Sequence, residues 1–228
     1  MIGKYNEGGL KMIDVASFID SILLSWIKRL FSRQNDSWKM LFRKEFEDFG
    51  ETFVFECQEK YLKVVIEKLK HQPFWVAVIK AWMKYKKTVK NEFVTSVLEE
   101  PLWGNDNILI KKKPIFNNIL VNRNFKFVND LLNDQGGFIN WCQFKAKAVS
   151  RITFLDYINI ITAIPQKWKR EIKEKHLEKE QFQNSSIISD LLRKQSSNKY
   201  IYEKLITNKK NFAKKGPAKM GSNFKRNI

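Results

Sequence analysis

Apolar residues recur at three- and four-residue spacing from Val15 to Leu30, through Phe18, Ile19, Ile22, Leu23, Trp26 and Ile27. That is the period of one helix face, so the run predicts a helix with this stripe against a core. Asp14 stands where an N-cap belongs, and Lys28, Arg29 and Arg33 close the run, where cations suit the helix dipole. A second helix is predicted over "NDSWKMLFRKEFEDFG", capped by Asp36 or Ser37 and stopped by Gly50. Its inward face is Trp38, Leu41, Phe42 and Phe46 or Phe49. A third helix lies within "QEKYLKVVIEKLK", and Pro73 opens a fourth at its first turn, where a missing N–H costs nothing. In that fourth helix Trp75, Val78, Ile79 and Trp82 face inward, while Lys80, Lys84 and Lys87 share another face. Such a lysine row reads either as a solvated face or as a binding groove.

The helical period breaks at "NILIKKKPIF", where β-branched residues flank three lysines and a proline closes the run. A short strand or hairpin near 108–117 is predicted, with Lys111, Lys112 and Lys113 in or beside its turn. "FKFVNDLLNDQGGF" then predicts a short helix stopped by Gly136 and Gly137. "NWCQFKAKA" and "TFLDYINIITAIPQKWK" predict two more, the last interrupted by Pro165. Past Glu180 the chain turns polar, with one weak helical patch at "KYIYEKLI". The expected class is mainly α: an irregular multi-helix domain with one small strand pair and a flexible basic C-terminal tail. The chain divides into a loop at 1–13, a helical domain at 14–179, and a polar basic tail at 180–228. That tail is expected to be mostly disordered, with a short helix at 197–206.

With 43% apolar and 14% aromatic residues among 228, the chain can build a core, which excludes disorder throughout. The longest apolar stretch, "VASFIDSILLSWI", is broken by Asp20 and followed by Lys28 and Arg29, too short and polar to span a bilayer. The N-terminus has neither the apolar run nor the small-residue cleavage site of a signal peptide. A soluble, intracellular protein of cytoplasm or nucleus is expected. Cys57 and Cys142 have no paired neighbours, and only His71 and His176 could join them. A zinc site takes about four closely spaced ligands, so both cysteines are read as reduced core thiols and no metal or cofactor is expected.

The net charge of +18 points to an anionic partner, nucleic acid ahead of a membrane surface. It is unevenly placed: residues 166–228 hold 17 Lys or Arg against 6 acids. No glycine array follows an apolar strand, so a phosphate loop is excluded. The acidic pairs Glu47-Asp48 and Glu99-Glu100 read as helix-surface charge and a turn before Pro101. Two histidines and no serine or cysteine elbow leave no nucleophile and base, so the chain by itself is read as non-enzymatic. What remains is cations beside aromatic rings, a mixture that suits single strands or hybrids. The rings mostly fall on core stripes, so binding is assigned to the cations. The candidate contacts are Lys28 and Arg29 beside Trp26, Lys84 beside Trp82, where Lys86 is the second neighbouring cation, Lys87 on the lysine row of the fourth helix, Lys111, Lys112 and Lys113 in the hairpin, Lys167, Lys169 and Arg170 around Trp168, and Lys209, Lys210, Lys214 and Lys215 in the tail.

The blocks "EGGLKMIDV", "SWIKRL", "PFWVAVIKAW", "LWGNDNILI", "KPIF", "FVNDLL", "GGFINWCQF" and "AIPQKWK" are ordered and spaced in a recognisable way. The series resembles the region that follows the reverse transcriptase domain in long interspersed (non-LTR) retrotransposon polyproteins, from about Gly3 to Lys169. No single block is specific; the ordered set is. The resemblance implies a helical segment between a catalytic palm upstream and a Cys/His-rich zinc-binding region downstream, helping to hold the RNA template or RNA–DNA hybrid. Leu120 and Met220 stand where that family has tryptophans, and Asn124 where it has a glycine, although Asn can still adopt a left-handed conformation. With both flanks missing, these departures favour a truncated copy, in which Met1 is an internal residue or a gene-model start. The rival expectation is a host helical scaffold whose basic tail meets acidic partners or an anionic membrane surface.

Overall fold

A computed structural model gives the architecture, and it describes residues 13–34, 36–90, 96–148, 152–175, 187–193 and 198–214. The fold is mainly α, with one two-stranded antiparallel sheet. The helices are α1 (Val15–Leu30), α2 (Ser37–Phe46), α3 (Glu59–Lys68), α4 (Pro73–Val89), α5 (Asn118–Asn122), α6 (Trp141–Ala148), α7 (Phe154–Ala163), α8 (Gln166–Lys175), α9 (Ile187–Arg193) and α10 (Asn198–Lys214). Strands β1 (Leu109–Ile110) and β2 (Lys113–Pro114) lie between α4 and α5.

Helices α1 and α4 run antiparallel, since Asp20 pairs with Lys84 while Trp26 meets Phe74 edge to face at 5.3 Å. Behind them Phe42, Phe46 and Phe55 are fully buried. Trp75 closes on Phe42 at 4.8 Å, and the Trp82 indole N–H donates to the Phe55 carbonyl at 2.8 Å. The predicted inward face of α4, Trp75, Val78, Ile79 and Trp82, is buried. Pro73 opens this helix as expected. Gly50 takes the left-handed φ of +74° that ends the α2 segment, and Pro165 separates α7 from α8.

Other expectations need correction. The buried face of α1 is Ser17, Ser21, Leu24, Ile27 and Leu30, whereas Val15, Phe18, Ile19 and Ile22 are exposed. The reason is α10, which packs along α1. Small serines lie on the buried side, and their hydroxyls are satisfied by Asp14 and the Phe18 carbonyl. Leu41 is 68% exposed and Trp38 half-buried, so of the predicted α2 face Phe42, Phe46 and, beyond the helix end, Phe49 are buried, joined by Lys39. The segment before Gly136 is a single 3-10 turn over Val128–Leu131, because the Asp130 carboxylate captures the Lys126 and Phe127 amides and closes the turn. Cys142 is exposed rather than a core thiol. The helix expected at 197–206 runs instead over Asn198–Lys214, preceded by α9. Its Ile201 and Leu205 are buried, so this part of the segment read as disordered tail is a docked helix.

Candidate nucleic-acid interface

The hairpin is anchored at its base. Ile108 is fully buried, the Gly104 amide donates to the Ile115 carbonyl at 2.8 Å, and Phe116 stacks on Tyr61 with centroids 4.6 Å apart. The turn leaves Ile110 and returns at Lys113, so Lys111 and Lys112 are its two central residues. Both are left-handed, with φ of +49° and +66°. Positive φ at both positions is the type I′ form of the two-residue hairpin, which matches the twist of its strands and is met most cheaply by Asn-Gly. Lys111, Lys112 and Lys113 are all exposed, and no carboxylate pairs with them among the described residues.

Strand β1 packs against α7, and α8 follows α7 after Pro165. Lys167 and Arg170 on α8 are exposed, while Lys169 is half-buried and its pKa is lowered by that desolvation. Like the hairpin lysines, these three have no carboxylate partner among the described residues. Trp168 is half-buried and packs on the core. The structure thus brings the hairpin cations and those of α8 onto elements joined by α7.

It does not bring the others to them as a set. Lys84 is held by Asp20, and Lys87 by Glu59 at 2.9 Å, with Lys63 on the same carboxylate. Those two lysines hold the Glu59 carboxyl below its usual pKa. Lys28 and Arg29 sit at the far end of the antiparallel α1–α4 pair from Lys84 and Lys87. The Arg29 guanidinium lies 5.0 Å over the Trp26 ring. Lys209, Lys210 and Lys214 fall on the backbone of α10, and Lys215 lies outside the described residues.

Lys86, the other cation beside Trp82, turns inward. Its ammonium donates to the Phe55, Glu56 and Cys57 carbonyls at 3.4, 3.1 and 3.0 Å. Burial lowers its pKa, opposed by the Glu56 carboxylate. It lines a cleft of about 290 Å³ with Glu99, Glu100 and Asp106. There the Glu100 carboxylate accepts from the Gln58 and Asn105 amides at 2.9 and 3.0 Å, so Glu100, one of the pair read as turn charge, organises a polar network. Among the described residues no group of His, Cys, Asp and Glu is arranged to hold a metal ion.

Sequence reasoning passed over a second aromatic and cationic patch. Trp141 of α6 carries the Lys145 ammonium 5.4 Å from its ring and meets Phe154 of α7 edge to face at 5.6 Å. Phe154 is 52% exposed. It is fixed at the first position of α7 by a reciprocal cap, in which the Thr153 hydroxyl accepts from the Asp156 amide and the Asp156 carboxylate accepts from the Thr153 amide. The Thr153 amide and hydroxyl, both donating to that carboxylate, lower the Asp156 pKa. The Thr153-to-Asp156 spacing is a legible capping signal. That Phe154 stays outside is not legible, because a ring on a helical stripe looks like core.

Comparison with family models, with curated proteins and with solved structures gave no match to this chain.

Proposed function

We propose that this chain is a non-catalytic helical extension of a retrotransposon reverse transcriptase, a fragment that binds RNA template or RNA–DNA hybrid through lysine and arginine contacts to phosphate. The observation that supports the binding role is the contrast in pairing. Lys84 and Lys87 are neutralised by carboxylates, whereas the hairpin lysines and Lys167, Lys169 and Arg170 have none among the described residues. Of these, the exposed hairpin lysines, Lys167 and Arg170 keep their attraction for a polyanion and release its counterions on contact. The retrotransposon assignment draws its support from the ordered sequence blocks alone.

Fluorescence anisotropy with labelled single strands and hybrids tests the binding role. Six phosphate contacts would give a slope of about −4 in log affinity against log salt on single strands, with little sequence preference. Absence of binding to both at low salt, with capture by anionic vesicles instead, would replace this reading with the membrane-surface one.

A further inference from the structure

Three observations lie on adjoining elements and are not used by a generic basic surface. The hairpin places lysines at both left-handed positions of its turn, where Asn and Gly would fit without side-chain crowding. Strain of this kind, held by a firmly anchored base, is found where the strained residues do something a relaxed turn could not. The turn's cations are exposed and unpaired among the described residues. Helix α7, which packs on β1, presents a half-exposed phenylalanine locked by a cap and braced by Trp141.

Resting on the nucleic-acid reading above, we infer that the Lys111-Lys112 turn and the Phe154–Trp141 pair form one site for single-stranded nucleic acid. The turn clamps phosphates and the Phe154 face receives an unpaired base. A duplex keeps its bases stacked inside and offers Phe154 nothing to stack on; a single strand offers both phosphate and ring. The apolar neighbours Leu155 and Ile158 are exposed on the same helix, so an anionic membrane is the competing partner that the test must separate.

The test measures affinity of the full chain for a single-stranded oligonucleotide, the matching duplex, and vesicles of anionic phospholipid, across a salt series. K111N/K112G should fold with an undiminished Tm, because it supplies the residues that turn prefers. It should lower the salt slope on single strands by about 1.4 and weaken binding roughly 25-fold at about 0.1 M salt, as expected for two lost contacts. F154A should weaken single-strand binding roughly tenfold with the slope unchanged, leave duplex binding alone, and be restored by F154Y. K63Q/K70Q, which removes equal charge from exposed, carboxylate-paired lysines, should weaken binding much less. The inference is overturned if either test variant binds single strands like the unmodified protein, if K63Q/K70Q loses as much as K111N/K112G, or if F154A weakens vesicle binding instead. Failure of the unmodified protein to bind any nucleic acid removes the underlying reading as well.

Discussion

At Gly104 the backbone runs against side chains that the core has already fixed. A Cβ there would come within 2.7 Å of the Cys57 Sγ and 2.9 Å of Tyr61 Cδ1, and φ is +60°. Neither neighbour can retreat, since both are buried. G104A therefore combines left-handed strain with overpacking and should cost about 2–4 kcal/mol in urea denaturation. Cys57 makes a second, pH-dependent demand. Burial raises its thiol pKa well above the ordinary value of about 9. Above pH 9 the unfolded chain therefore sheds a proton that the folded chain keeps, and stability falls as pH rises, by up to about 1.4 kcal/mol per pH unit. Lys86 acts in the opposite sense: its lowered pKa means that stability rises with pH from its folded value to the ordinary 10.5. Lys86 is retained in C57A, and because its charge is coupled to the thiol, comparing C57A with the unmodified protein reports the thiol together with that coupling. C57A should show a shallower decline in Tm between about pH 9 and 10, and parallel curves would contradict the assignment.

Elements differ in how far their placement can be read from the chain. The α4 stripe is legible because Trp75, Val78, Ile79 and Trp82 form one apolar side opposed by lysines, and Pro73 marks its start. The hairpin is legible because the period changes from helical to extended around "KKK". Helix α1 misleads, being apolar on more than one side; which side is covered depends on α10, far along the chain, and on small serines that no hydrophobicity pattern favours. The Lys86 bonds are illegible for the same reason, since their carbonyl partners lie 29 to 31 positions away. The docked α10 yields a direct test. Leu205 is 3% exposed, so L205A should destabilise by about 2–5 kcal/mol in urea denaturation. If stability is unchanged, α10 does not contribute to the folded core.

Across the whole molecule, 42 Lys and Arg against 24 Asp and Glu set folding and binding at odds. A compact body with this surplus repels itself, and salt relieves the repulsion by shortening its range from about 30 Å at 0.01 M to about 10 Å at 0.1 M. The Tm of the free protein should therefore rise as salt is added over that interval. A bound polyanion neutralises the same charges and stabilises by mass action, by about 2.7 kcal/mol at a hundredfold excess over Kd. That increment should shrink with salt, because the affinity behind it falls. Thermal melts with and without a single-stranded oligonucleotide should then converge as salt increases, the free curve rising and the bound curve descending towards it. Parallel curves would mean that the oligonucleotide is not held by charge. A free-protein Tm indifferent to salt would mean that the surplus is already dispersed widely enough to cost the fold nothing. In that case Lys111 and Lys112 of the hairpin, which pair with no carboxylate among the described residues, would carry no folding penalty beyond their own left-handed backbone.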